Sequence, residues 1–422
     1  MIGYYLVGAI LLGNINKDFW YIFEPADWIA ILLFLYAFFI PTKKNCPFSK
    51  TYINKFYIFF FIFILFIPYL INYYFYEVNL IYTYFIIVRA WLASYIFYKI
   101  FLNELKREPL NEILSKFVKL LFVIATISAA ISISRYFSTT LKTSLDIFYP
   151  SGNDSFSKYG RLIGTMGATN TAGNFFAIVS LFALYNYAIK PTKNKLIILL
   201  FFISVLILTM SYSSLFAFLV LFFFILRKKI KIEFFAIGTA IMIISFLILY
   251  QIDSLKVYFN QRIITTFNSP VKSQYPLVLP LNLLARMDYG IQYISLLSKS
   301  GRLIFGWGPE SIWSLNFQKL GYISFYGWHH QSLNPYSENF YFFILNQSGL
   351  FGLVAFCWLF IKLVKNVKKI IPINNYTKNF VQIVVGVILL AAIGNNTLYY
   401  GSITELFGIS LALFQITLYI QK

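Results

Sequence analysis

Charge is scarce in this chain, and acidic charge is scarcer still: 12% of the 422 residues are charged, with 15 Asp and Glu against 35 Lys and Arg. So little charge beside 59% hydrophobic residues and a mean hydropathy of +0.71 excludes a soluble globular domain. Cysteine and histidine number two each. Cys46 falls in an expected cytoplasmic loop and Cys357 inside an expected span. That placement excludes a disulfide between them and leaves too few thiols for a metal site. The adjacent His329 and His330 are no metal motif by themselves, so neither a metal nor another cofactor is expected. The start of the chain lacks both a basic region and an A-x-A cleavage pattern, so a cleaved signal peptide is not expected. No internal repeat and no low-complexity tail interrupts the pattern.

What the chain does have is apolar runs from end to end. A bilayer core takes about 20 apolar residues per helix. Twelve candidate spans follow, at 2–14, 26–41, 55–73, 79–102, 113–134, 172–189, 195–210, 212–226, 233–250, 339–361, 379–395 and 402–420. The first is short enough to be an interfacial segment instead, and Ser211 to Ser214 leave only a tight break between the seventh and eighth. The expected fold class is an all-α polytopic integral membrane protein, one membrane domain over 1–422 with about twelve transmembrane helices.

Lys and Arg accumulate on cytoplasmic loops. Here they fill alternate connections, at 43–55, 99–119, 190–195, 227–231 and 362–378, while 72–79, 210–214 and 395–402 have none. Both termini are therefore expected in the cytoplasm. The +20 charge is accounted for by orientation and anionic lipid, and no basic, aromatic-interleaved domain points to nucleic acid. Two long connections, 135–171 and 251–338, fall on the outer face, where loops of that length carry function. Within the second, Leu284, Met287, Ile291 and Ile294 share a helical stripe. This reads as an amphipathic helix on the membrane or over the bundle.

Several polar residues stand out against this background. Arg89 lies about ten residues, roughly 15 Å, into the fourth span. Intramembrane Arg marks a substrate or ion path by default, and pairing with a neighbouring carbonyl is the structural alternative. Arg161, Gly164, Gly167 and Asn170 crowd the start of the sixth span, as an anion-suited turn or as an ordinary turn capped by Thr169 or Asn170. Arg286 and then Arg302, Gly306 and Gly308 follow in the second long loop, and Glu338 and Asn339 open the span at 339.

In this order, these stretches resemble the bacterial O-antigen polymerase (Wzy) and O-antigen ligase superfamily of polytopic membrane glycosyltransferases. The resemblance covers about 150–360 and rests on four stations: Arg161 to Asn170, the Ser-rich "SYSSLF", Arg286 through "LIFGWG", and "SENFYFFILNQSGLFG". Members often carry Arg in the Ser-rich break, and this chain does not. Ligases and many polymerases have His before the last Asn, where this chain has Glu338, which favours polymerase.

The resemblance implies joining of undecaprenyl-diphosphate-linked oligosaccharide repeats into a surface polysaccharide at the outer face of the bacterial cytoplasmic membrane. Donor and acceptor would both be lipid-linked, with a chain-length regulator and a flippase as companions. No two carboxylates are separated by one residue, so the Asp-x-Asp arrangement that holds Mg²⁺ is missing. Arg89, Arg161 and Arg286 would then neutralise the diphosphate. Glu338 would act as general base with His330 as its competitor, and Asn170, Arg302, Asn339 and Tyr341 would bind or orient substrate. For Glu338 the alternative is a favourable place in a helix first turn capped by Ser337 or Asn334. An O-antigen ligase and a polysaccharide-lipid flippase are the competing functions.

Overall fold

The computed structural model describes residues 25–40, 51–61, 80–137, 139–148, 162–166, 168–226, 294–295, 297–306, 339–367, 375–393 and 401–420. Among them all long regular structure is α-helical: α1 Pro25–Phe39, α2 Tyr52–Phe61, α3 Leu80–Glu104, α4 Leu110–Phe137, α5 Thr139–Phe148, α6 Thr169–Ile189, α7 Lys193–Thr209, α8 Tyr212–Leu226, α9 Phe340–Val367, α10 Asn375–Ala391 and α11 Gly401–Ile420. Among the described residues three stretches are long and apolar enough to cross a membrane, Leu110–Arg135, Thr169–Ile189 and Phe340–Leu363, the last counted across its break at Gly349. Large apolar side chains stay exposed on several helices, among them Leu32 and Phe38 on α1, Ile197 on α7 and Phe224 on α8. A bilayer covers such surface at no cost, whereas water would not. The expected spans at 2–14 and 233–250 lie outside the described residues.

The helices cluster into two compact units. In the first, α6 is the axis: from Thr171 to Tyr185 every residue is buried, and α7 and α8 both pack on it. Helix α7 starts where the Thr192 hydroxyl accepts from Lys195 N–H, an N-cap placed just after Pro191. Lys195 Nζ also donates to Asn186 O at 3.0 Å, tying the start of α7 to the last turn of α6. The chain then breaks at Met210, in the left-handed region at φ 49, and resumes as α8.

The segment expected as the first external loop contains α5 and ends in buried backbone. Leu162, Ile163, Thr165 and Met166 are all buried, and Leu162 N–H donates to Leu208 O at 3.0 Å. Thr165 is held by Ser128 of α4, whose Oγ lies 3.1 Å from the Thr165 hydroxyl and accepts from its N–H. Helix α4 itself continues through Arg135, buried in the last turn, where a cation complements the helix dipole.

In the second unit α3 packs along α11, with α2 beside both. Lys99, expected among cytoplasmic loop residues, lies inside α3; it is buried, and its Nζ donates to Ile40 O at 2.8 Å. The expected span 339–361 is not one straight helix. Gly349 has φ 65 and ψ −166, and the rings of Phe340 and Phe356 meet with centroids 5.4 Å apart. Sixteen residues of straight helix would separate them by about 24 Å. The chain therefore folds back at Gly349 into two arms, 340–348 and 350–367. The first arm, about 13 Å long, cannot cross a bilayer, whereas the second, about 27 Å, nearly matches its core. Burial agrees: from Phe343 to Ser348 the first arm is wholly buried, and the second exposes Leu350, Phe351, Val354, Trp358 and Ile361 along one stripe.

Candidate functional site

Each of the two units carries a helix break with polar partners in a largely apolar interior. In the first unit it lies between α7 and α8. Ser211 and Ser214, three apart, face Asn170 and Asn174, four apart on α6. Ser214 Oγ lies 2.7 Å from Asn174 Oδ1, the two serine oxygens are 2.8 Å apart, and Ser211 Oγ is 3.2 Å from the Asn170 carboxamide. Asn174, Ser211 and Ser214 are buried, while Asn170 is partly exposed. Close approach of α6 makes this possible, since a Cβ on Gly173 would come 2.4 Å from Ser211 Cβ. The start of α6 has Ala168 at the cap position with no side-chain cap bond, so neither Thr169 nor Asn170 caps it.

In the second unit the interruption is the fold-back of α9, clamped by the turn 302–306. Leu350 and Phe351 donate their N–H groups to Leu303 O and Ile304 O at 2.9 and 3.2 Å, and Phe305 stacks on Phe351. Gly306 N–H closes the turn onto Arg302 O at 2.7 Å. Gly306 and Gly349 both have positive φ and interlock backbone to backbone: a Cβ at Gly349 would sit 2.1 Å from Ile304 O, and one at Gly306 2.6 Å from Gln347 C. Asn346, Gln347 and Ser348 are buried beside this contact.

Of the residues singled out in the sequence, Arg161, Arg286, His330 and Glu338 lie outside the described residues. Arg89 is partly buried in α3, beside the buried Ala90. Asn339 and Tyr341 come together at the start of α9: Asn339 Oδ1 accepts from Tyr341 N–H at 2.9 Å and Phe342 N–H at 3.3 Å, and Asn339 Nδ2 donates to Ile393 O at 2.9 Å. Asn339 is thus the cap of α9, the role the sequence alternative gave to Ser337 or Asn334. Arg302 opens the clamp at the other end of the same arm, about 13 Å along its axis. Asn170 belongs to the first unit, and Arg89, Arg302, Asn339 and Tyr341 to the second.

Sequence reasoning missed Asn174 and the buried Asn346. For Asn174 a signal existed, because amides at i and i+4 on an apolar helix, with hydroxyls at i and i+3 on another, form matching polar faces. For Asn346 only the fold-back gives the position meaning. Among the described residues no cluster of His, Cys, Asp and Glu could hold a metal ion. No family model, no curated protein and no solved structure matches this chain.

Proposed function

We propose that this protein is a membrane glycosyltransferase that polymerises lipid-linked oligosaccharide repeat units on the outer face of the bacterial cytoplasmic membrane. The observation that carries the reading is that all four sequence stations touch the two helix breaks: Asn170 and the Ser211–Ser214 break in one unit, and the Arg302–Gly306 turn clamping the Gly349 fold-back in the other. Such interruptions are expensive in an apolar bundle and are kept where they line a binding path.

In the proposed reaction the bond between the anomeric carbon of the growing chain and its diphosphate breaks. A hydroxyl of the incoming repeat forms the new glycosidic bond. Its proton passes to Glu338, or to His330 if that residue is the base, and the diphosphate leaves on its lipid. Arg89, Arg161 and Arg286 neutralise the leaving charge, for which a guanidinium fork suits phosphate oxygens better than a Lys ammonium. The alternation of Lys and Arg supports an outward-facing site.

A second reading has one observation in its favour. A helix broken within the membrane is a device of transporters, and α9 is broken at Gly349, which suits a polysaccharide-lipid flippase. Deleting the gene and sizing the surface glycan separates the readings. A single lipid-capped repeat in place of the ladder supports the polymerase. Complete polymer retained on its carrier identifies a ligase, and repeats trapped on the inner face identify a flippase.

A further inference from the structure

The hydroxyls between α7 and α8 hold fewer protons than their contacts require, and the shortfall fixes how Asn170 is turned. Ser211 and Ser214 together have two hydroxyl protons, yet three oxygen contacts line up: Ser211 with Asn170 Oδ1, Ser211 with Ser214, and Ser214 with Asn174 Oδ1. Every contact becomes a hydrogen bond only if one of the two amides presents nitrogen instead of oxygen. The oxygen and nitrogen of a carboxamide are told apart by their partners, and here distance decides. The 2.7 Å contact at Asn174 and the 2.8 Å contact between the serines fit O–H···O bonds. The 3.2 Å contact at Asn170 is the longest of the three and fits N–H···O better than O–H···O.

We infer that Asn170 donates through Nδ2 to Ser211, Ser211 donates to Ser214, and Ser214 donates to Asn174 Oδ1, which leaves the Asn170 carboxamide oxygen and its second N–H to bind a sugar hydroxyl pair. The ligand class rests on the glycosyltransferase reading; the orientation of the amide does not. An acceptor and a donor on one rigid plane match two neighbouring hydroxyls of a pyranose, one donating and one accepting. Asn170 is the partly exposed member of the chain, and the three buried ones set its plane. One residue further on, Thr171 is 1% exposed, and its hydroxyl has no partner among the described residues. Ser211 and Ser214 are positioning residues in this arrangement.

Two measurements on the full-length protein in nanodiscs test it. The first is thermal stability of Asn170→Asp. With Nδ2 as the donor, Asp leaves two protons for three acceptor contacts and lowers the melting temperature. An unchanged or raised melting temperature, as an oxygen already accepting from Ser211 would give, overturns the orientation. The second is saturation-transfer NMR with free glucose, galactose, N-acetylglucosamine and N-acetylgalactosamine as probes. At least one should bind the native protein, Asn170→Ala should abolish that signal, and Ser211→Ala should weaken it about threefold to tenfold. In the Asn170→Ala background Ser211→Ala should add nothing. Absence of sugar binding in the native protein, or equal binding by a folded Asn170→Ala, overturns the subsite. If Asn170→Ala loses sugar binding while the gene deletion leaves the glycan ladder intact, the polymerase reading falls and the subsite stands.

Discussion

Two helix breaks, one in each unit, interrupt apolar sequence next to serines, and they are built on opposite principles. At Met210 the chain steps from α7 to α8 with one left-handed residue, and side chains fill the gap: Ser211, Ser214, Asn170 and Asn174. At Gly349 the chain reverses, and the gap is filled by backbone from a segment more than forty residues earlier, Leu303 and Ile304 accepting from Leu350 and Phe351. A break satisfied by side chains tolerates repacking, because each hydroxyl can rotate toward another acceptor. Interlocked glycine backbones leave no such freedom.

Gly349→Ala should have the largest effect of any single substitution at the two breaks. Its Cβ would meet Ile304 O at 2.1 Å with φ at 65, so neither the space nor the conformation admits it. The expected cost exceeds about 4 kcal/mol, seen as loss of monodisperse protein in fluorescence-detected size exclusion. Gly306→Ala should behave alike, whereas Ser348→Ala should be far milder. The fold-back itself is tested by pairing cysteines at Phe340 and Phe356 in a cysteine-free background. A short bifunctional maleimide should link them in high yield, and a straight helix, holding them about 24 Å apart, would give none.

The side-chain break should respond more gently. Ser214→Ala removes both the acceptor of Ser211 and the donor to Asn174, with an expected loss of about 1–2 kcal/mol, within the range of hydrogen bonds between membrane helices. Thermal melting in nanodiscs checks it, and a loss as large as that of Gly349→Ala would erase the distinction between the two breaks. Met210→Gly sets two opposed effects against each other. It relieves about 1–2 kcal/mol of left-handed strain but removes a buried Met side chain worth about 2–5 kcal/mol. A modest net destabilisation follows, and a stabilised variant would mean that strain outweighs packing at this break.

Sequence alone located several of the helices, because apolar runs of the right length and the polar clusters between them are local properties of the chain. The span expected at 212–226 is α8, Tyr212–Leu226, and that expected at 402–420 is α11, Gly401–Ile420. The tight break before α8 was legible for the same reason: "MSYSS" is too polar to continue an apolar helix. "NQSGLFGLV" was not legible as a fold-back, since a lone glycine in an apolar run is compatible with a straight helix. Only tertiary structure decided between the two, by bringing Gly306 against Gly349 and the Leu303 and Ile304 carbonyls to the N–H groups that the turn exposes. Tertiary structure likewise tied Asn339 to Ile393 O and gave Asn170 its serine partners. In each case the deciding group is contributed by a distant segment, and backbone polar groups inside an apolar bundle must find such a partner wherever the fold supplies it.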